Sequence, residues 1–353
     1  MPKRNLKNAR FLVTGGAGFI GSNFIQHLLA RVPGSKVIVV DNLSFAGNKL
    51  NLDELPKSRV SFIKTDINET RRMTQLFRRV DYVIHFAAES HVDRSIHGSS
   101  KGFTITNVLG THTLLEALRK SPNIKLFIHI STDEVFGTLP LGSTRTFRED
   151  SPYRPNSPYA ATKAGGDMLV RSFIQTWHLP IIILHPANNY GPRQLPEKLI
   201  PFFTMRALHD LPLTVYGHGK HVRSWLHVDD CSSAIMTLLQ RGAVGQNYCV
   251  TSGEELTNMD VARSILKTLG KPTSLITHIT DRPGHDERYA LDASKLKKLG
   301  WRAKRKLKTY LPKTVLWYKN NQRWVKRSIR KENVFNQHIR SFKYWEIESR
   351  KKK

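Results

Sequence analysis

A tyrosine and a lysine four residues apart, Tyr159 and Lys163, form the first pattern in the sequence that could carry chemistry. The segment around them has helical periodicity, so both side chains would lie on one face of a helix. A free tyrosine is a poor base at neutral pH, but a neighbouring ammonium and a positively charged nicotinamide ring favour the phenolate. We therefore expect Tyr159 to accept a hydroxyl proton while a hydride leaves for the cofactor, and Lys163 to hold the nicotinamide ribose.

Two adjacent carboxyl groups follow a predicted strand in the segment Ser131-Thr132-Asp133-Glu134. The hydroxyls of Ser131 and Thr132 could bond the same substrate hydroxyl as Tyr159. For Asp133 and Glu134 the spacing leaves two interpretations equally open. They could be the acid–base pair that eliminates water beside a carbonyl group, or they could cap the turn after the strand.

The sequence TGGAGFIG over residues 14–21 joins a predicted strand to a predicted helix. Gly15, Gly18 and Gly21 would let the backbone turn sharply and approach a pyrophosphate, which the N-terminus of the helix attracts. Asp41 ends the next strand, where an acidic side chain binds ribose hydroxyls and repels a 2′-phosphate. The pattern predicts NAD rather than NADP as the cofactor.

The elements that must position these residues alternate between short apolar runs and helical patterns. Strands are predicted at 10–14, 37–40, 60–64, 80–86, 125–131, 181–185 and 246–250, and helices at 21–31, 70–79, 103–120, 157–178, 229–241 and 258–269. This alternation predicts an α/β fold with a doubly wound parallel Rossmann sheet in residues 1–185. We expect residues 186–300 to form mainly a smaller, interleaved C-terminal substrate-binding domain, with some elements returning to the sheet. Residues 301–353 would form a basic C-terminal helix and tail.

The charge of the chain is its most unusual bulk property. The formal net charge is +28, and residues 301–353 contain 18 Lys and Arg against 3 Asp and Glu. Such a tail could bind nucleic acid or an anionic surface. We favour a solvated basic end, because basic runs are weak motifs.

The sequence also indicates the compartment. Its two cysteines, Cys231 and Cys249, are too few for a disulfide framework and lack CxxC spacing. The N-terminus lacks the apolar segment of a signal peptide, and the apolar runs are too short to span a bilayer. We expect a cytoplasmic protein with reduced thiols, no membrane contact and no metal site.

Five blocks in a fixed order carry a resemblance to a known family. They are FAAESHVDRSI at 86–96, STDEVFG at 131–137, NNYGPRQLPEKLIP at 188–201, VRSWLHV at 222–228 and DRPGHD at 281–286. With the Tyr–Lys pair and the glycine-rich turn, the chain from about residue 10 to residue 324 resembles the dTDP-glucose 4,6-dehydratases. These belong to the extended short-chain dehydrogenase/reductase (NAD-dependent epimerase/dehydratase) family.

The resemblance implies a closed reaction cycle. Tyr159, helped by Thr132, would deprotonate the 4-hydroxyl of glucose while the C4 hydride passes to NAD. Glu134 would then remove the C5 proton, Asp133 would protonate the departing 6-hydroxyl, and the hydride would return to C6. The product would be the nucleotide-linked 4-keto-6-deoxyglucose.

The resemblance also implies two sets of contacts. The cofactor would be bound by Gly15, Gly18, Phe19, Ile20, Gly21, Asp41, Asn42, Leu43, Ser44, Asp66, Ile67, Phe86, Ala87, Ala88, Ser90, Thr106, Tyr159, Lys163 and Asn189. The substrate would be bound by Ser90, Thr132, Asn188, Lys198, Leu199, Thr214, Val215, Tyr216, Arg223, Asn258, Asp281, Arg282, Pro283, Gly284 and His285. Lys198, Arg223 and Arg282 supply cationic donors suited to a sugar-nucleotide pyrophosphate.

Other members of the superfamily remain alternatives. Ser224 stands where the family commonly has an acidic residue, and His227 replaces a usual aromatic residue, which leaves the choice between thymine and uracil open. A UDP-sugar 4,6-dehydratase, a 4-epimerase or a UDP-glucuronate decarboxylase is possible, although an epimerase would not need Asp133 and Glu134. A nucleic-acid-binding protein on a dehydratase scaffold is a distant alternative. The family pairs two helices per subunit in a four-helix bundle, here 103–120 and 157–178, so we expect a homodimer.

Overall fold

The computed structural model describes residues 3–330, so residues 331–353 of the expected basic tail lie outside the described residues. The strands in the described part are β1 (Arg10–Thr14), β2 (Lys36–Asp41), β3 (Val60–Lys64), β4 (Tyr82–His85), β5 (Leu126–Ile130), β6 (Ile181–Pro186), β7 (Asn188–Tyr190), β8 (Leu213–Tyr216), β9 (Val222–His227), β10 (Asn247–Val250), β11 (Glu254–Thr257) and β12 (Ile276–Ile279). Seven of them form one parallel sheet in the order β3-β2-β1-β4-β5-β6-β10. This confirms the predicted doubly wound Rossmann sheet.

The helices surround this sheet and a smaller C-terminal layer. In chain order they are α1 (Phe19–Arg31), α2 (Thr70–Phe77), α3 (Val92–His97), α4 (Lys101–Phe103), α5 (Thr111–Arg119), α6 (Pro158–Trp177), α7 (Leu199–Leu208), α8 (Val228–Arg241), α9 (Asn258–Leu269), α10 (Ser294–Lys298), α11 (Leu307–Asn320) and α12 (Gln322–Arg330). Short 3₁₀ turns lie at Lys49–Leu52, Asp133–Phe136 and Thr273–Leu275, and a π-helix spans Thr104–Gly110. None of the helices in residues 3–330 is long and apolar enough to cross a membrane.

The central strands are continuous apolar runs because helices cover both faces of the sheet. On one face, α1 and α8 pack through residues such as Leu28 and Leu239. On the other face, α2, α5 and α6 pack through residues such as Phe77, Leu115 and Val170. The carboxyl ends of β1, β4 and β5 lie side by side, with Thr14 opposite His85 and His85 opposite His129. The segments after these strands therefore meet at one edge, where open α/β sheets bind their ligands.

The second half of the chain adds two small sheets and a helical layer. One sheet has the order β11-β9-β7, and the other pairs β12 with β8. Helices α7, α9 and α11 form a third core around Phe203, Ile265 and Val315. The predicted strand 246–250 is β10, which pairs with β6 in the main sheet.

The predicted helix 103–120 differs from a regular α-helix in its first half. Residues 104–110 form the π-helix, and Asn107 lies in its middle. The Asn107 side chain accepts a hydrogen bond from the Glu89 amide at 3.0 Å and donates to the Glu89 carbonyl at 3.1 Å and to the Thr162 hydroxyl at 3.0 Å. The widened turn thus ties the loop after β4 to α6, in keeping with the frequent occurrence of π-turns at functional sites.

Candidate active site

The glycine-rich turn between β1 and α1 has no room for larger side chains at two positions. Gly15 has a φ of +67°, and a Cβ atom there would lie 2.5 Å from the backbone nitrogen of Ala87. A Cβ atom on Gly21 would lie 2.5 Å from the Gly15 carbonyl oxygen. Helix α1 begins directly after Gly18 without a side-chain cap, so its first amides are free to face an anion.

A cavity of about 190 Å³ runs along this turn to the catalytic pair. The predicted cofactor residues that line it are Gly15, Gly18, Phe19, Ile20, Gly21, Asp41, Asn42, Ser44, Asp66, Ile67, Phe86, Ala87, Ala88, Ser90, Thr106, Tyr159 and Lys163. Leu43 and Asn189 are not part of the wall. The Leu43 amide instead donates to the Asp41 carboxylate at 2.8 Å, and the Asn189 carboxamide donates to the Ala187 carbonyl at 3.0 Å.

Glu89, inside the predicted segment 86–90, is also in the wall of this cavity. The wall residues that the sequence did not predict as cofactor contacts are Val40, Ala46, Gly47, Thr65, Ile130, Ser131, Gln194, Leu195, Glu197 and Lys198. Val40 and Thr65 are direct chain neighbours of predicted cofactor residues, and Ala46 and Gly47 follow soon after Ser44. The missed signal was therefore continuity along the loops, since Ala46 and Gly47 extend the segment that begins at Asp41.

The donors and acceptors of this cavity fit a dinucleotide. The Asp41 carboxylate accepts from the Ala17 amide at 3.1 Å as well as from Leu43, which fixes its position in the wall of the cavity. Asp66 accepts from Asn42 and Asn68, and these hydrogen bonds outweigh burial and lower its pKa. The turn, the acid that ends β2 and the Tyr–Lys pair thus all lie in the wall of a single cavity, as binding of NAD requires.

Helix α6 positions the Tyr–Lys pair. Ser157 caps it, Pro158 begins it, and Lys163 lies buried one turn after Tyr159. The Lys163 ammonium donates to the Ile130 carbonyl at 2.7 Å, and burial lowers its pKa to about 8.

The pKa of Tyr159 differs from the expectation drawn from the sequence. Burial raises this pKa well above its ordinary value, the nearby Glu134 raises it further, and a hydrogen bond with Thr132 opposes the change. Lys163 was expected to lower the pKa of Tyr159, but the protein groups by themselves raise it. The ammonium bonds to the end of β5, and removal of the phenol from water dominates.

The carboxyl groups of Asp133 and Glu134 do not cap the turn after β5. The cap is Thr132, whose hydroxyl accepts from the Glu134 amide at 3.4 Å. Among the described residues, Asp133 Oδ2 and Glu134 Oε2 are buried without a hydrogen-bond partner. Buried oxygens of this kind are rare in proteins unless a ligand or a reaction uses them. This favours the acid–base interpretation of the pair.

The two carboxyl groups have different electrostatic surroundings. Burial and the neighbouring Glu134 raise the pKa of Asp133 to about 8. Burial and the nearby Asp286 also raise the pKa of Glu134, while Arg282, Arg223 and Lys198 oppose that change. Asp133 therefore holds a proton at neutral pH, while the three cations favour the ionised form of Glu134.

A second cavity of about 250 Å³ adjoins the first and includes Glu134 in its wall. The predicted substrate residues that line it are Asn188, Lys198, Leu199, Thr214, Val215, Tyr216, Arg223, Asn258, Arg282 and His285. Of the remaining predictions, Ser90 lines the cofactor cavity and Thr132 contacts Tyr159, whereas Asp281, Pro283 and Gly284 lie outside both walls. The wall residues that were not predicted are His91, Val92, Asp93, Glu197, Phe202, Phe203, Trp225 and Tyr289.

Glu197 and Lys198 line both cavities and mark where they join. The Lys198 ammonium donates to the Ser90 carbonyl at 2.6 Å. Burial raises the pKa of Glu197 to about 7, with Lys198 opposing. Glu197 lies in the sequence block 188–201, but the spacing of residues in that block gave no reason to predict a site role for it.

The remaining cations are held by aromatic and acidic neighbours. The Arg282 guanidinium pairs with Asp93 at 2.6 Å, and the Arg223 guanidinium lies 4.5 Å from the centre of the Tyr289 ring. These contacts fix two positive groups in the wall of the larger cavity, as binding of a pyrophosphate requires.

A cluster of two histidines and an aspartate lies beside this cavity. The Asp281 carboxylate pairs with His285 at 2.6 Å and with His221 at 3.2 Å, and the two imidazole rings stack at 3.6 Å. In residues 3–330 this is the one group of ligand atoms close enough to hold a metal ion. The stacked rings and the nearby Arg223 and Arg282 favour a hydrogen-bonded cluster instead.

Comparison with known proteins agrees with this geometry. A family model described as GDP-mannose 4,6 dehydratase matches residues 12–314. The chain is 47% identical over 338 residues to the dTDP-glucose 4,6-dehydratase of Xanthomonas campestris pv. campestris (strain B100), covering 90% of this chain and 95% of that protein.

Solved structures give the same relationship. The dTDP-glucose 4,6-dehydratase DesIV of Streptomyces venezuelae, crystallised with NAD bound, has a TM-score of 0.87 and 43% identity, covering 90% of this chain and 99% of that one. The UDP-glucose 4-epimerase of Thermus thermophilus, in complex with NAD, has a TM-score of 0.80 and 33% identity over 88% of this chain and 99% of that one. Because an epimerase has the same fold, the fold alone does not distinguish dehydration from epimerisation.

Proposed function

The chain belongs to the dTDP-glucose 4,6-dehydratase family, and we propose that it converts dTDP-glucose to dTDP-4-keto-6-deoxyglucose and water. The observation that carries the proposal is the pair Asp133 and Glu134, which offers two buried, unpartnered carboxyl oxygens next to Tyr159. Oxidation and reduction at C4 alone, as in an epimerase, would have no use for them. Elimination of water needs one group to take a proton and another to give one.

The first step is deprotonation at the sugar 4-hydroxyl. Tyr159 accepts this proton, and Thr132, which bonds the phenol, orients it. The positive charge of Lys163 favours the phenolate form of Tyr159 that accepts this proton. NAD fits the cavity at the glycine-rich turn, and when bound it supplies the hydride acceptor at C4 and the hydride donor at C6.

The second step is elimination. The 4-keto group makes the C5 hydrogen acidic, and Glu134, whose charged form is favoured by Arg282, Arg223 and Lys198, removes it. Asp133, with its pKa raised to about 8, protonates the 6-hydroxyl as the C6–O bond breaks. Atoms balance, because the hydride taken from C4 is returned at C6 while the proton held by Glu134 is returned to C5. The 6-hydroxyl leaves as water with the proton of Asp133, and the proton taken up by Tyr159 restores that proton through solvent.

The two sequence departures lie away from the reaction. Ser224 is buried on β9 and shares a 2.5 Å hydrogen bond with Thr251. His227 packs edge-on against Tyr190 and Tyr310. Neither residue is in the wall of the two cavities. These departures therefore do not argue for uracil over thymine.

A side-by-side assay tests the proposed function. Purified protein with NAD is given dTDP-glucose or UDP-glucose, and products are identified by mass spectrometry. We expect a mass loss equal to one water, with dTDP-glucose as the preferred substrate. If UDP-glucose is the better substrate, the protein is a UDP-sugar dehydratase. If neither substrate gives a product, the proposal is overturned.

We also infer that the protein forms a homodimer through a four-helix bundle. Four large apolar side chains on the π-helix and α6 are exposed: Ile105, Leu109, Met168 and Trp177. An exposed apolar stripe of this kind marks an interaction surface. Cys231 and Cys249 are buried free thiols, which fits the reducing cytoplasmic compartment that we propose.

A further inference from the structure

A buried polar cluster lies directly beneath the catalytic pair, centred on Asp167. One carboxylate oxygen contacts His129 Nε2 at 3.0 Å. The other accepts from the Ser131 hydroxyl at 2.6 Å and the Tyr153 hydroxyl at 3.0 Å, and contacts His185 Nε2 at 3.2 Å. Asp167 is fully buried, so these contacts replace the water that a carboxylate would otherwise bind.

Asp167 follows Lys163 by four residues on α6, as Lys163 follows Tyr159. The three side chains therefore lie on one face of the helix, one turn apart. Lys163 and Asp167 also reach consecutive residues at the end of β5: the ammonium donates to the Ile130 carbonyl, and the carboxylate accepts from Ser131. The two opposite charges thus share one buried, water-poor space.

We propose that Asp167 is a positioning residue for the reaction, whose carboxylate keeps Lys163 in its ammonium form so that the lysine can assist Tyr159. The inference rests on the proposed function. It gives a role to Asp167, which does not contact the reacting atoms. Three residues on one face of α6 would then act together. Asp167 is the counter-charge, Lys163 is the cation and Tyr159 is the base.

His129, one of the two histidine partners of Asp167, does not cancel the charge of this carboxylate at neutral pH. His129 and His185 both face it through Nε2, and their Nδ1 atoms are buried without a hydrogen-bond partner in the described part of the chain. At His129 a protonated imidazole would leave an N–H donor unsatisfied at Nδ1, and burial lowers the pKa of this ring, so its neutral form is favoured. Although burial opposes ionisation, the hydrogen bonds from His129 and His185 hold the pKa of Asp167 far below its usual range.

Lys163 needs such a partner. Burial lowers its pKa to about 8, and the Asp167 carboxylate opposes that lowering. Further ionisable groups around the cluster are His85 on β4, Tyr153 before α6, and Asp133 and Glu134 after β5. Burial lowers the pKa of His85 and of His129, so neither supplies a compensating positive charge at neutral pH.

Asp167→Asn removes the charge and retains the shape. The readout is the pH dependence of the first half-reaction, followed as reduced nicotinamide formed in a single turnover. Loss of a negative charge lowers the pKa of both Lys163 and Tyr159, so we expect the whole profile to move to lower pH by about one unit or more. At the alkaline limb this is roughly a tenfold loss of rate.

Tyr153→Phe is the matched control, because it removes one hydrogen bond to Asp167 but not the charge. We expect it to lower thermal stability without moving the profile. Asp167→Glu, which retains the charge, should keep the wild-type pH limits even with a slower rate. If Asp167→Asn does not fold, the smaller Asp167→Ser serves the same comparison.

An unshifted profile in a folded neutral variant, or an equal shift in Tyr153→Phe, would overturn the proposal. The wild-type protein in the same buffers tests the proposed function separately. A second readout needs no turnover: in NAD-loaded protein carrying ¹³C-labelled lysine, the Lys163 resonance, assigned by its loss in Lys163→Arg, should titrate at lower pH in the neutral variant. An unchanged midpoint would count against the proposal even if no substrate had been found.

Discussion

Asp133 and Glu134 are neighbours in the chain, and burial raises the pKa of both, yet the charged groups around them differ. Asp133 faces a buried setting that keeps its proton, with its pKa raised to about 8. Glu134 faces the cavity that carries Arg223, Arg282 and Lys198. A strand that ends in a 3₁₀ turn sends the two side chains to different surroundings, and this converts two similar residues into an acid and a base.

Glu134→Gln tests this assignment at the scale of the single residue. The amide cannot accept the C5 proton, so we expect C4 oxidation to persist while product formation falls by at least about 10²-fold. Exchange of the C5 hydrogen with deuterated solvent, followed by NMR, is the measurement. Exchange at the wild-type rate would show that another group is the base.

Much of the site at this scale could be read from the sequence, because its residues stand in ordered motifs next to strand ends. The Tyr–Lys pair, Glu134 after β5 and most of the glycine-rich turn line the cavities as expected. The raised pKa of Tyr159 could not be read, since it depends on burial and on Glu134, which is distant in sequence. His129 and His185, which bind Asp167, lie inside strands that the sequence marks only as apolar.

Among the elements, the strands and helices of the Rossmann half were predictable because each is an apolar run or an amphipathic pattern bounded by turn residues. All seven predicted strands belong to the main sheet, with ends within two residues of the predicted ones. The short strands β7, β8, β9, β11 and β12 were missed, since segments of three to six residues without clear alternation give little signal. The π-helix was missed because its cause is the tertiary contact of Asn107 with Glu89.

The glycine-rich turn before α1 can be tested by a substitution at Gly21. A Cβ atom in Gly21→Ala would meet the Gly15 carbonyl at 2.5 Å, so the turn must shift. Overpacking of this kind costs about 1–3 kcal/mol, which corresponds to a loss of NAD affinity of roughly tenfold or more. Titration calorimetry with NAD measures it.

Gly102→Ala is the control for that experiment, since a Cβ atom there would meet nothing within 4 Å. It should leave NAD affinity unchanged. Equal affinity in Gly21→Ala and the wild type would contradict the assignment of this turn to the cofactor.

In the whole molecule, two surface regions lie away from the proposed active site. One is the apolar stripe on the π-helix and α6. The other is the start of the basic C-terminal segment, where Trp324 donates to Asn51 at 2.9 Å and Asn48 donates to Ser328 at 2.9 Å. Asn48 and Asn51 both bond the Ala17 carbonyl inside the glycine-rich turn. Helix α12 is therefore packed against the cofactor end of the protein.

Leu109→Glu tests the apolar stripe. Leu109 is 52% exposed, and a charge there would be buried in the bundle, so we expect the variant to sediment as a monomer while the wild type sediments as a dimer. Leu316→Glu, a change at an exposed leucine of α11 outside the stripe, should remain dimeric. A monomeric wild type, or a Leu109→Glu variant that stays dimeric, would rule out this interface.

The central claim is that one hydrogen leaves C4 and returns at C6 within a single cycle. The most direct measurement is the fate of the label in dTDP-glucose deuterated at C4, converted by the NAD-loaded protein without added reductant and analysed by NMR. We predict a 4-keto-6-deoxy product with the deuterium on C6. Deuterium retained at C4 of an epimerised sugar, or absent from C6, would contradict the account.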